Sequence, residues 1–363
     1  VIMYAQDDAD EQASQVSDMT EKAVSAMVIA PVDPYGLSEE LKAAKEAEIP
    51  VIAYDDLIMN TDGVKYYVTF GGRQIGQLIG QEIIDKEELE KLQEAKESKT
   101  IEFLMGSLDD TQALFFYNGL MEKLQPYLDD GTLVCKSGQI TFEETGILRW
   151  STDEAQSRAE EMLSEFYSDT ETPDIICTGF DGAAESVLKV LQDNGLTPGE
   201  NWPMITGVGC DSEAVRDIAE SEISCSVFMD RGELADRAED MVNVYLHGED
   251  DPEVNDYEQY DNGTKIIASY LCEPQLISID NYELLIDNGY YTEDEVKPEA
   301  TPTPEITEKP DVTATPEVTE SPEATITPEV TEESEETATP TPTEKVTPTP
   351  KERVTLKRST KNK

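Results

Sequence analysis

Ile175-Ile176-Cys177-Thr178-Gly179-Phe180-Asp181 is followed by a helical stretch from Gly182, and then by Met204-Ile205-Thr206-Gly207-Val208-Gly209-Cys210-Asp211. Each apolar run is short, continuous and closed by a turn signal, which suits a strand buried on both faces of a parallel sheet. Strand, helix and strand in that order predict an α/β fold. In both runs the strand gives way to a carboxylate. The same grammar holds elsewhere. Val51-Ile52-Ala53-Tyr54 runs into Asp55-Asp56, Ile101 to Leu108 runs into Asp109-Asp110, and Ile223 to Met229 runs into Asp230. Ligands of parallel α/β sheets bind beyond the carboxyl ends of the strands. A ring of acceptor-only groups there suits a ligand covered in hydroxyl donors, which is the chemistry of a sugar.

The alternation extends through most of the chain. Strands are expected at Val1–Ala5, Ala26–Ala30, Val51–Tyr54 and Tyr66–Phe70. Further strands are expected from Ile101, Leu133, Ile175, Met204 and Ile223, and a late one at Lys265–Ser269. Helices are expected between them, including one capped by Ser38 and opened by Glu39-Glu40, which suit a positive helix N-terminus. The alternation runs too long for one doubly wound sheet, so two are expected. From Lys297 to Lys363 the chain changes character. Near-repeats such as Thr315-Pro316-Glu317-Val318-Thr319 carry eleven of the twenty prolines, and such a segment buries too little apolar surface to fold. It is expected to be a disordered tail, either a spacer or a partnerless extension.

The chain has 363 residues and a formal net charge of −52, from 79 acidic and 27 basic residues. Such a field repels nucleic acid and anionic lipid, so neither is an expected partner. The sequence opens at Val1 inside a strand-like run, and is read as lacking its true N-terminus and any signal segment. Five cysteines without CxxC spacing form neither a disulfide framework nor a zinc site, and are expected as small buried hydrophobes.

Ala26-Met27-Val28-Ile29-Ala30-Pro31-Val32-Asp33, followed by Ile49-Pro50-Val51-Ile52-Ala53-Tyr54-Asp55, resembles the type I periplasmic sugar-binding proteins. Tyr54-Asp55-Asp56-Leu57-Ile58, Gly106-Ser107-Leu108-Asp109-Asp110, Ser137-Gly138-Gln139, Arg149-Trp150 and Asn288-Gly289-Tyr290-Tyr291 place it near the xylose-binding and multiple-monosaccharide-binding branch. The resemblance covers about Val1 to Val296. It implies two doubly wound parallel-sheet domains joined by three hinge crossings, near Ser107–Asp110, Met229–Gly232 and Ala268–Leu271. The N-terminal domain would comprise 1–106 plus 231–268, and the C-terminal domain 107–230 plus 269–296. The family's first strand and helix precede the part matched by Val1.

The resemblance also assigns a site. Asp55 matches a position that binds sugar hydroxyls, and Asp56 stands where the branch usually has Arg. Asp110 and Gln112 match an Asp-x-Asn stretch of the cleft, with Asp109 beside them. Either Asp would also serve as a helix cap. Trp150 matches an aromatic that stacks on the sugar; by sequence alone, ahead of Ser151-Thr152-Asp153, it suits a core position at a helix entry. Phe180 stands where relatives carry Asn or Tyr, Asp211 matches a sugar-binding Asp, and Met229 stands where the branch often has Lys or Asn. The last change, with Asp56, implies a pocket that has lost two polar or basic donors.

Enzymatic readings find little purchase. His247 is the lone His, and there is no Ser-His-Asp set, P-loop or HExxH. Gly207-x-Gly209 does not continue as GxGxxG. Asp7-Asp8-Asp10 lacks the Gly and terminal Glu of a calcium loop. The expectation is an extracytoplasmic monomer, periplasmic or a lipoprotein, without cofactor or metal. It would close around an aldose monosaccharide and deliver it to an ABC transporter permease. A sugar-sensing domain that presents its ligand to a chemoreceptor, or the ligand domain of a regulator, is the alternative.

Overall fold

The computed structural model describes residues 1–168, 171–199, 201–248 and 251–296. The expected tail at 297–363 lies outside the described residues. In chain order the elements begin with α1 (Ala9–Glu21), β1 (Met27–Ile29), α2 (Ser38–Glu46), β2 (Val51–Tyr54) and β3 (Val64–Phe70). Then come α3 (Gly72–Lys86), α4 (Leu89–Ala95), β4 (Lys99–Leu104), α5 (Thr111–Asp130), β5 (Leu133–Val134) and α6 (Phe142–Thr145). A 3-10 turn at Leu148–Trp150 leads into α7 (Thr152–Phe166), β6 (Ile175–Thr178), α8 (Asp181–Asp193), β7 (Met204–Ile205) and α9 (Ser212–Ala219). Last are β8 (Cys225–Phe228), α10 (Arg231–His247), β9 (Ser269–Cys272), β10 (Gln275–Ser278), α11 (Glu283–Asp287) and α12 (Glu293–Val296).

Two parallel sheets result. The first has the order β1-β2-β3-β9. The second has the order β5-β4-β6-β7, and single bridges Thr206–Cys225 and Gly209–Phe228 carry it on to β8, on which β10 closes antiparallel.

Strand pairing moves two of the three expected crossings. Ile101 to Leu104 pair with Ile175 to Thr178, so β4 belongs to the second sheet and not to a domain ending at residue 106. The chain therefore changes sheets between Phe70 and Lys99. Ser269 to Cys272 pair with Tyr67 to Phe70, so β9 stays in the first sheet and the last crossing falls at Glu273-Pro274, between β9 and β10. Only the crossing at Met229–Gly232 stands where expected, between β8 and α10. The expected late strand at Lys265–Ser269 begins only at its last residue, because Ile267 donates its N–H to Tyr260 in a local turn instead of joining a neighbour. Val1–Ala5 forms no strand, since no described strand pairs with it.

The core forms three bodies. One apolar cluster lies against α1 and α2 on the outer face of the first sheet (Leu41, Val51, Tyr67), and one against α7, α8 and α9 on the second (Ala159, Ile176, Val187, Ile218). The third joins the sheets through α3 and α5, with Ile75, Ile79 and Ile83 packed near Phe116, Leu120 and Leu124. Buried positions 72, 75, 76, 79, 80, 83 and 84 of α3 recur at helical spacing, and three of them are glycines. The two backbones touch. A Cβ at Gly76 would lie 2.0 Å from the Phe116 carbonyl oxygen, and one at Gly119 2.0 Å from that of Arg73. Four cysteines (Cys177, Cys210, Cys225 and Cys272) are buried and free, and Cys135 is partly buried and free.

Candidate functional site

A cavity of about 320 Å³ opens where the strands of both sheets end. From the first sheet and the helix that follows it come Asp55, Asp56, Thr69, Phe70, Gly72 and Ile75. From the second come Asp110, Gln112, Ala113, Phe116, Trp150, Gly179 and Val208, and the crossing adds Met229 and Arg231. Six of the nine expected residues are thus brought together across distant parts of the chain: Asp55, Asp56, Asp110, Gln112, Trp150 and Met229.

Local rules place each of them. Asp55 ends β2 in a left-handed conformation (φ 66°), which Asp tolerates better than most residues. Its carbonyl accepts from the Tyr67 hydroxyl at 2.5 Å and the Thr69 hydroxyl at 2.8 Å, both from β3. The Gln112 amide nitrogen in turn donates to Tyr67 Oη at 2.8 Å, which ties α5 to the first sheet. Asp110 caps α5 by accepting from the Gln112 backbone N–H at 2.7 Å. Trp150 sits in a 3-10 turn with Arg149 and Trp150 both left-handed (φ 56° and 55°). That turn is pinned by buried Ser107, whose hydroxyl accepts the Arg149 N–H at 2.6 Å and donates to the Asp109 carboxylate. The indole is 37% exposed, so it is no core residue.

Three expected residues do not line the cavity. Asp109 acts one step back, through Ser107. Phe180 meets Trp150 edge to face, with ring centroids 5.4 Å apart, and so buttresses the indole. Asp211 caps α9 through the N–H groups of Glu213 and Ala214, at 3.1 and 2.9 Å. Its own N–H goes to Asp181, a buried carboxylate that also accepts from the Ser226 hydroxyl at 2.7 Å and thereby joins the ends of β6, β7 and β8.

Arg231 escaped the sequence reading. Met229 marks the end of β8, and the inference of lost donors stopped there. The guanidinium two residues later, at the first position of α10, lines the same cavity. The pocket therefore keeps a cation.

The electrostatics follow from crowding. Asp55 is exposed at the cleft mouth, yet enough protein surrounds its carboxyl to raise its pKa, and nearby Arg231 opposes the rise. Asp56 is pushed up to about 7, first by burial and then by the like charges of Asp110 and Asp55. Burial also raises Asp110, against the pull of the N–H groups of Gln112 and Ala113.

Acceptors, one cation and an aromatic face, drawn from two sheets at their strand ends, suit a polar, ring-shaped small ligand. A model of the periplasmic binding protein domain matches residues 1–250. The chain belongs to this family. Among periplasmic binding proteins it is 39% identical over 298 residues to the multiple sugar-binding periplasmic receptor ChvE of Rhizobium radiobacter, spanning 82% of this chain and 83% of that protein. It is 37% identical over 298 residues to the multiple sugar-binding periplasmic protein SbpA of Azospirillum brasilense, spanning 82% of each. An ABC transporter solute binding protein from Clostridium phytofermentans, solved with bound β-D-glucose, superposes with a TM-score of 0.73 at 39% identity and covers 81% of this chain and 89% of that one. The periplasmic binding protein type I fold is therefore the architecture of this chain.

Proposed function

We propose that the protein captures a monosaccharide, an aldose, between its two sheets outside the cytoplasm and hands it to the permease of an ABC-type importer. The observation that carries this is the cavity at the strand ends, where Asp55, Asp56, Asp110 and Arg231 converge beside the exposed Trp150. Sugar hydroxyls donate to the carboxylates. A ring oxygen, which only accepts, needs a donor. Arg231 meets that need, because the Thr69 hydroxyl and the Gln112 amide nitrogen are already engaged with Asp55, Tyr67 and each other. Trp150 takes an apolar ring face. The sugar-binding relatives and the glucose-bound neighbour support the ligand class.

The two sheet-centred lobes close around the ligand, and a sugar that touches both shifts the population toward the closed form. The protein works as a monomer, needs no cofactor and does not turn over its ligand. It is held at the cell surface as a lipoprotein or moves free in the periplasm. Presentation of the bound sugar to a chemoreceptor is the second reading, favoured by the receptor designation of the Rhizobium radiobacter relative. Calorimetry against a monosaccharide panel, with product analysis, is the test. Binding of peptides or nucleotides and of no sugar would overturn the reading.

A further inference from the structure

The sugar reading leaves the charge of the ligand open, and the cavity bears on it. Its walls hold three carboxylates and one guanidinium. Arg231 acts on Asp55 and on Tyr54. The charges that act on Asp56 are those of Asp110 and Asp55, both of its own sign. Among the described residues the Asp56 carboxylate takes part in no ion pair and accepts no hydrogen bond. Asp110 spends one oxygen on its helix cap. Asp56 comes from the end of the first sheet's β2 and Asp110 from the second sheet's side of the cleft, so closure drives like charges together. Neutral hydroxyls supply hydrogen bonds, but beside them Asp56 escapes that repulsion only by holding a proton in a site that is losing water. An ammonium group supplies three donors and the missing charge at once.

We propose, resting on the sugar-binding reading, that the preferred ligand is an amino sugar, whose protonated amine lies between Asp56 and Asp110 while its ring stacks on Trp150. The proton that burial keeps on Asp56 up to about pH 7 fits this arrangement, since the ligand's ammonium takes that proton's place. Besides Asp55 and Asp110, the buried Tyr67 hydroxyl faces Asp56 and feels its charge; it is neutral throughout and does not compete.

The test is calorimetry on the full chain near pH 6.5 with D-glucosamine, D-glucose and N-acetyl-D-glucosamine. Glucosamine should bind at least about tenfold more tightly than either neutral sugar, and Asp56→Asn should weaken glucosamine by at least about tenfold more than it weakens glucose. Glucose binding as tightly as glucosamine would overturn the amino-sugar proposal and leave sugar binding intact. Binding of none of the three, nor of any other monosaccharide, would overturn both. If Asp56→Asn does not fold, the comparison on the unaltered chain decides by itself.

Discussion

Gly106→Ala tests the aromatic platform without touching the aromatic. Gly106 follows β4, and a Cβ there would lie 2.3 and 2.4 Å from two carbons of the Trp150 six-membered ring and 2.9 Å from the Ala113 Cβ. Carbon atoms rest about 3.5–4.0 Å apart, so the indole must shift by roughly 1.2–1.5 Å or tilt. It has room to do so, because it is 37% exposed and braced on one side by Phe180. Folding should therefore suffer less than from a clash in a closed core, by about 1 kcal/mol. Binding should suffer more. A sugar face on an indole covers roughly 50 Å² of apolar surface, about 1.3 kcal/mol, and specific ring contact adds about 0.5–1.5 kcal/mol. Loss of that contact weakens binding by roughly twenty- to a hundredfold. Trp150→Ala should match it in affinity. Titration calorimetry with the best sugar, beside urea unfolding, reads both quantities. Unchanged affinity in Gly106→Ala, with the indole displaced in its structure, would refute the stacking role.

The α3–α5 seam predicts that Gly119→Ala loses about 3 kcal/mol or more of stability, because its Cβ would meet the Arg73 carbonyl at 2.0 Å with backbone on both sides; a urea midpoint equal to that of the unaltered chain would refute the contact. Folded Asp56 keeps its proton up to about pH 7, whereas in the unfolded chain it ionises near 3.8, so the folded state binds the extra proton between those values and stability falls as pH rises through that window. Asp56→Asn should thus match the unaltered chain at pH 4 and exceed it increasingly toward pH 8 in thermal midpoint; parallel profiles would show that the carboxyl is not strained. Asp211→Ala should cost about 1 kcal/mol of stability, as a lost helix cap does, and leave sugar affinity within about twofold. A large loss of affinity would instead place Asp211 on the ligand.

Much of the site could be read in one dimension because its parts obey local rules. Asp110, Asp211 and Asp230 cap α5, α9 and α10 at the ends of strands or their loops, and a carboxylate before a helix is visible in any sequence. Asp55 and Asp110 follow from that grammar and the family resemblance, Trp150 from the resemblance alone, and all three line the cavity. Arg231 was missed because its place follows from the chain's turn out of β8 into α10, two residues beyond the position where a donor was sought. Asp109 and Phe180 were read as ligand groups, whereas the structure has them holding Ser107 and Trp150. A residue that touches the cavity and one that supports it look alike in sequence.

The crossings were misplaced for a related reason. Ile101–Leu104 and Ser269–Cys272 read as strands whichever sheet they join, and only hydrogen-bond partners 74 and 202 residues away, at Ile175 and Tyr67, decide membership. Glycines at positions 72, 76 and 80 were likewise in view, but what they lie against was not. By itself the sequence determined where strands stop, which carboxylates stand there and which helices those carboxylates cap, since these depend on hydrogen bonds over a few residues. Tertiary structure decided that Asp56, Asp110 and Arg231 line one cavity and that Asp211 caps a helix outside it, because such proximity is set by strand pairings between residues far apart in the chain.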